Sequence, residues 1–166
     1  MSEAAGGAAA SDQELPLIVL DTNVILDGWV FGNPAWAPLG KALTDQQLQW
    51  VVCASMLDEL RFVLARPQPA RFEEARQAAL LDTERWQQAR VVPAPSSEDL
   101  PRLRCSDRSD QQFIDLALAQ RARWLISRDK ALLKLARRAA AHGVTITTPE
   151  RWPGLAGQAA GPSTRP

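Results

Sequence analysis

The residues of this chain best suited to chemistry are carboxylates that follow apolar runs. Asp21 follows the run LIVL, Glu59 falls near the start of the helical stretch after QWVVCA, and Asp129, in LISRDK, follows RWLIS. A fourth source is CSDRSDQQFIDLALAQ. It carries Asp107 and Asp110 at the start of a helix, where the dipole favours negative charge, and Asp115 one turn further on. At the carboxyl edge of an open α/β sheet an acid faces a ligand site, although Asp21 is equally suited to cap the helix that follows it. Acids gathered without basic partners repel one another, and a divalent cation resolves the repulsion. All-oxygen ligation suits Mg2+ or Mn2+, whose open positions take phosphate oxygens. Two such ions about 4 Å apart activate water on one side of a phosphodiester and stabilise the leaving oxygen on the other. The expected chemistry is phosphoester hydrolysis.

Those acids need a scaffold that brings distant parts of the chain to one edge. The runs at 17–20, 49–54, 123–127 and 143–147 read as strands buried on both faces, and helical patterns alternate with them, which predicts a parallel sheet covered by helices. Ser55 followed by Asp58 reads as a capping box that opens a helix ending before Pro67. Ser106 or Ser109 reads as the cap of the helix bearing Phe113, Ile114, Leu116 and Ala117 inward. PARFEEARQAALLDTERWQQARV reads as a longer helical stretch broken near Asp82, and KALLKLARRAAAHG as one helix stopped by Gly143.

At 166 residues and 46% hydrophobic, the chain suits one domain with its own core. Residues 1–14 and 153–166 show small residues without periodicity and read as disordered tails around a domain at 15–152. No apolar run approaches the ~20 residues of a membrane helix, and no basic region precedes an apolar core at the N-terminus, so a cytoplasmic, membrane-free protein is expected. Cys53 and Cys105 then read as reduced thiols. With 19 basic and 19 acidic residues, the chain lacks the excess of a protein that coats nucleic acid, and any such contact must be local. The single histidine, His142, precedes Gly143 at a helix end, which argues against paired-histidine or His-rich zinc hydrolases. No phosphate-cradling glycine loop or nucleophile elbow is present. Asn23 stands where an aspartyl phosphatase would carry its second Asp.

The segments VLDTNVIL, SMLDELRFVLARP, CSDRSDQQFIDLALAQRARWLISRDKALL and GVTITTPERW, in that order from about Leu17 to Trp152, resemble the PIN-domain proteins. They are most similar to the bacterial branch described as toxin components of toxin-antitoxin systems. The resemblance implies a three-layer α/β/α sandwich with a five-stranded parallel sheet. It also implies an endoribonuclease that uses Mg2+ or Mn2+, acts on RNA and is held inactive by a cognate antitoxin. Position by position, Asp21 matches the first acid with Asn23 its companion, Glu59 the helix acid, and Asp129 the acid after the later strand. The relatives' third acid falls at Gln111, one residue beyond Asp110, and an offset of one residue turns a helical side chain by about 100°. The ligand set implied is therefore Asp21, Glu59, Asp110 and Asp129, with Asn23, Asp107, Asp115 and Ser127 as supporting or substitute groups.

Arg61, Arg66, Arg121, Arg123, Arg128 and Lys130 are candidates for holding phosphates around that centre, with Arg128 and Lys130 preferred because they flank Asp129. Trp29, Phe31 and Trp36 are suited either to stacking on unpaired bases or, more simply, to packing. A homodimer is expected through the helices at 67–90, the region through which relatives commonly pair. Two other functions fit the same residues. One is a catalytically silent PIN module that binds RNA or protein, which Gln111 favours. The other is a structure-specific DNA nuclease of related fold, for which no extra DNA-binding segment is visible.

Overall fold

In the computed structural model, which describes residues 14–155, five parallel strands form one sheet in the order β3-β2-β1-β4-β5. These are β1 (Leu17–Leu20), β2 (Gln49–Val52), β3 (Ala89–Val91), β4 (Trp124–Ile126) and β5 (Thr145–Thr147). Ile18, Val19, Leu125 and Ile126 are fully buried. Successive strand residues point to opposite faces, so a strand buried at every position is covered on both sides, as the unbroken apolar runs predict.

The flanking helices are α1 (Thr22–Trp29), α2 (Ala37–Thr44), α3 (Ala54–Ala65), α4 (Ala70–Leu81), α5 (Thr83–Gln87), α6 (Gln111–Ala119), α7 (Lys130–Leu133) and α8 (Ala136–Ala140). The chain runs outward from β1 through β2 to β3, then returns across the sheet to lay β4 on the other side of β1. Strand order therefore reverses between β1 and β4, and the crevice of an α/β sheet opens at such a reversal. Helix α6, on the return connection, packs on both of these strands.

Several local readings are corrected. Residues 89–91 do not continue the helix before them but form β3, a short edge strand whose register aligns Trp50 with Ala89 and Val52 with Val91. Its outer residues are exposed, so it has no apolar alternation to read. The break at Asp82 is real: its side chain accepts from the backbone N–H of Arg85 and starts α5. The segment 130–140 is two short helices rather than one. Ser55 does not cap α3: Cys53 holds the cap position without a side-chain bond, and the Ser55 hydroxyl donates to Gln112 Oε1. Neither serine caps α6, whose preceding residue is Asp110.

The aromatic residues after α1 pack. Trp29 meets Trp50 and Trp86 edge-on, and Phe31 meets Phe72 in the same way. Gly143 ends the helical segment at φ +83°, the left-handed conformation that glycine adopts without cost. Both cysteines are free and buried. Among the described residues no helix is long and apolar enough to cross a membrane. The expected tails at 1–14 and 153–166 lie outside the described residues, apart from residues 14 and 153–155.

Candidate metal centre at the strand-order reversal

Asp21 leaves β1 in extended conformation and caps α1, its Oδ1 accepting from the backbone N–H of Asn23 at 3.4 Å. Its other oxygen accepts from the Ser127 hydroxyl at 2.7 Å. That hydroxyl in turn accepts from the backbone N–H of Asp129 at 2.9 Å. Ser127 is fully buried at the end of β4 and so fixes the ends of the two neighbouring strands to each other through one oxygen. Asp129 caps α7, its Oδ1 accepting from the N–H of Ala131 at 2.6 Å.

Asp21 is only 4% exposed, and burial pushes its carboxyl above the ordinary value. The hydrogen bonds from Ser127 and Asn23 pull the other way, and the charge of Asp129 adds to the rise. Glu59, on α3, accepts from the Thr22 hydroxyl at 3.1 Å and from Gln112 Nε2 at 3.2 Å. Both bonds land on Oε2, and Oε1 accepts no hydrogen bond among the described residues.

Asp110, immediately before α6, is the meeting point of the acids. Its carboxyl is pushed up to about 7, first by burial and then by the charges of Asp21, Asp129, Asp107 and Glu59. Its Oδ2 is buried without a hydrogen-bond partner. Carboxylate oxygens of Asp107, Asp110 and Asp129 all lie within 4.8 Å of one another. Asp107 is exposed and accepts from the Ser109 hydroxyl and N–H, which hold its carboxyl below the usual range. The trio therefore contains Asp107, which the sequence offered only as a substitute, while the charges of Asp21, at the end of β1, and Glu59, within α3, act on Asp110.

Asp115 stands apart. It accepts from Gln111 Nε2 at 2.9 Å and lines a separate groove. Gln111 itself turns away from the acids: its amide donates to Leu103 O at 2.8 Å and accepts from Cys105 N–H at 2.7 Å. Asn23 is exposed at the start of α1.

Of the cations, Arg128 bridges Asp27 (Nε to Oδ2, 2.7 Å) and Glu150, while its Nη2 is buried without a hydrogen-bond partner. Lys130 is exposed, without an ion pair among the described residues. Arg121 and Arg123 precede β4 and stand at the opposite edge of the sheet from the acids, with Arg123 over the Trp124 ring. Arg61 and Arg66 lie on aromatic rings, those of Trp86 and Phe62. Sequence reading passed over Arg102, Arg104 and Arg108. The signal was present as RLRCSDR, a basic stretch directly before the Asp110 helix.

The residues fit a divalent cation. All the donors are oxygens, one buried oxygen is orphaned, and among the described residues none of the five acids is in an ion pair with Lys or Arg. A parallel α/β sandwich with clustered carboxylates at its strand-order reversal defines the class of α/β proteins with a site outside the strand ends. A PIN-domain family model matches residues 17–131, and the chain belongs to the PIN-domain family. PIN domains are generally nucleases that use a divalent metal. No curated protein matches the chain in sequence. Among solved structures it is similar in fold to a chain of VapBC2 from Rickettsia felis, determined bound to a DNA fragment from their promoter. That likeness has a TM-score of 0.52 and 12% identity, covering 78% of this chain and 96% of that one.

Proposed function

We propose that this PIN domain is a Mg2+- or Mn2+-dependent endoribonuclease, the toxin of a toxin-antitoxin pair. One observation carries the reading: the buried, unpartnered Oδ2 of Asp110 among four further carboxylates, none of which is in an ion pair with Lys or Arg among the described residues. Asp107, Asp110 and Asp129 would hold the metal, with Asp21 and Glu59 completing its surroundings. When bound, the ion supplies Lewis-acid neutralisation of the phosphodiester and activation of water.

The chain's own groups set the stage. Ser127 holds Asp21 and Asp129 in fixed relation. Thr22 and Gln112 hold Glu59 by one oxygen, leaving the other for metal or water. Lys130, exposed and unpaired beside Asp129, contacts phosphate. Arg128, bridged to Asp27 and Glu150, reaches phosphate only if one of those pairs opens.

The VapBC2 neighbour's setting supports a cognate antitoxin as partner. The reading places the protein in the cytoplasm. Asp110, whose carboxyl lies among the other acids, supports an active centre over a silent module despite Gln111.

Cleavage of single-stranded RNA with Mn2+, measured against duplex and flapped DNA, tests the reading. Asp21→Asn keeps the shape and the Ser127 bond but removes the charge, and should lower cleavage on the order of 100-fold or more. An Asn variant that cleaves as well as the native chain would leave Asp21 as a cap alone.

A further inference from the structure

Beside the acid cluster the segment between β3 and α6 forms a groove of about 570 Å3, lined in part by Arg102, Arg104, Arg108 and Cys105. Along the segment Leu103 and Cys105 are buried while Arg102 and Arg104 are exposed. The alternation has a cause on α6. The Gln111 amide accepts from Cys105 N–H and donates to Leu103 O, offering that segment the bonds a neighbouring strand would offer. Locked in this way, the two arginines are directed to solvent. Arg138 adds to them, donating to the Arg102 carbonyl at 3.0 Å.

Among the described residues none of these four guanidinium groups is in an ion pair, unlike Arg76, Arg85 and Arg128. Two acids share the groove. Asp115 is engaged by Gln111, and Glu98 lies on the short 3-10 turn Ser97–Asp99. The groove borders the acid cluster: of its lining residues, Arg108 lies between Asp107 and Asp110 in the chain, and Gln111 directly follows Asp110.

We infer that this groove is the phosphate track of a single-stranded RNA substrate, with Arg104 and Arg108 binding successive phosphates and Gln111 positioning the segment that carries Arg104. The inference rests on the nuclease reading above and extends it to a substrate path. Arginine grips phosphate oxygens bidentately, so unpaired guanidinium groups at the mouth of a site that binds phosphate through a metal fit a polyphosphodiester. A volume of about 570 Å3 admits a stretch of one nucleotide chain.

The test is anisotropy of a short fluorescein-labelled single-stranded RNA of mixed sequence, titrated with the full chain in EDTA across a range of salt. Arg104→Gln/Arg108→Gln should weaken binding about 10-fold and flatten the log–log salt slope by about 1.4, for two lost single-strand phosphate contacts. Arg121→Gln, at the opposite sheet edge, should change neither. Unchanged affinity and slope in the double variant would overturn the proposal, and so would unchanged RNA binding combined with lost affinity for a polyglutamate peptide, which would assign the groove to a protein partner. If circular dichroism shows the double variant unfolded, Arg104→Lys/Arg108→Lys decides. A kept slope with several-fold weaker binding supports the track, and native affinity removes it. Cleavage by the native chain with Mn2+ separates the two readings. A chain that cleaves while its groove variants bind normally loses only the groove, and a chain that neither cleaves nor binds loses both.

Discussion

At the scale of single residues, Asp110 decides how the centre responds to pH. Its folded value, about 7, lies above the ordinary carboxylate value of 3.8, so the fold favours its protonated form. The stability that this protonation contributes is fully present below the unfolded value and is lost as pH rises through about 7. Asp110→Asn should therefore raise the metal-free melting temperature at pH 8 and leave it nearly unchanged near pH 4, which calorimetric melts at the two pH values would check. Metal competes with the same proton. Mn2+ affinity should rise about 10-fold between pH 6 and pH 8, and an affinity that stays flat over that range would remove Asp110 from the ligands. Gln111, one residue on, has none of this chemistry, because an amide does not ionise, and its own is bonded to Leu103, Cys105 and Asp115.

At the scale of elements, the approach to the site depends on how tightly α1 packs against the turn that follows it. Gly28, inside α1, lies against the Trp36 ring: a Cβ there would stand 2.2 Å from ring atoms, and Trp36 also presses on Gly40. Replacing a helical glycine with alanine normally stabilises by roughly 0.4–1 kcal/mol. Here overpacking wins, because the ring is caught between two glycines and cannot give way to one side without striking the other. Gly28→Ala should cost about 1–3 kcal/mol in urea unfolding. A stabilised variant would mean that Trp36 swings free. Because α1 is capped by Asp21, the same variant should also perturb metal binding.

At the scale of the whole molecule, the sheet order places the acids and the flanking helices leave surface for a partner. Phe62 is 62% exposed and Leu81 is 79% exposed, on α3 and α4, and neither is needed to cover the sheet. Apolar side chains left in water favour association when a second copy can bury them. The chain should therefore sediment as a dimer at micromolar concentration, and Phe62→Glu/Leu81→Glu should shift it to monomer without lowering its melting temperature. Sedimentation of the native chain as a monomer at high micromolar concentration would count against pairing through this region.

The sequence by itself determined the parts whose signals are local. Apolar runs specified β1, β2, β4 and β5, and acids directly after strands specified Asp21 and Asp129, because strand burial and helix capping depend on neighbours in the chain. Edge strand β3 was not legible, since its outer residues face water and its pairing with β2 comes from a distant segment. The sequence offers Asp110 as the fourth acid and keeps Asp107 and Asp115 as substitutes for a similar reason. A step of one residue at a helix start turns a side chain by about 100°. Which of the candidates meets Asp129 depends on how α6 seats on β1 and β4. Only the tertiary structure decided that Asp110 and Asp107 converge with Asp129, that Gln111 and Asp115 face the arginine groove, and that Arg128 is held by Asp27 and Glu150. The Arg128–Asp27 pair and the Ser127–Asp21 bond rest on the reversal of strand order between β1 and β4, which brings residues more than a hundred positions apart within hydrogen-bonding distance.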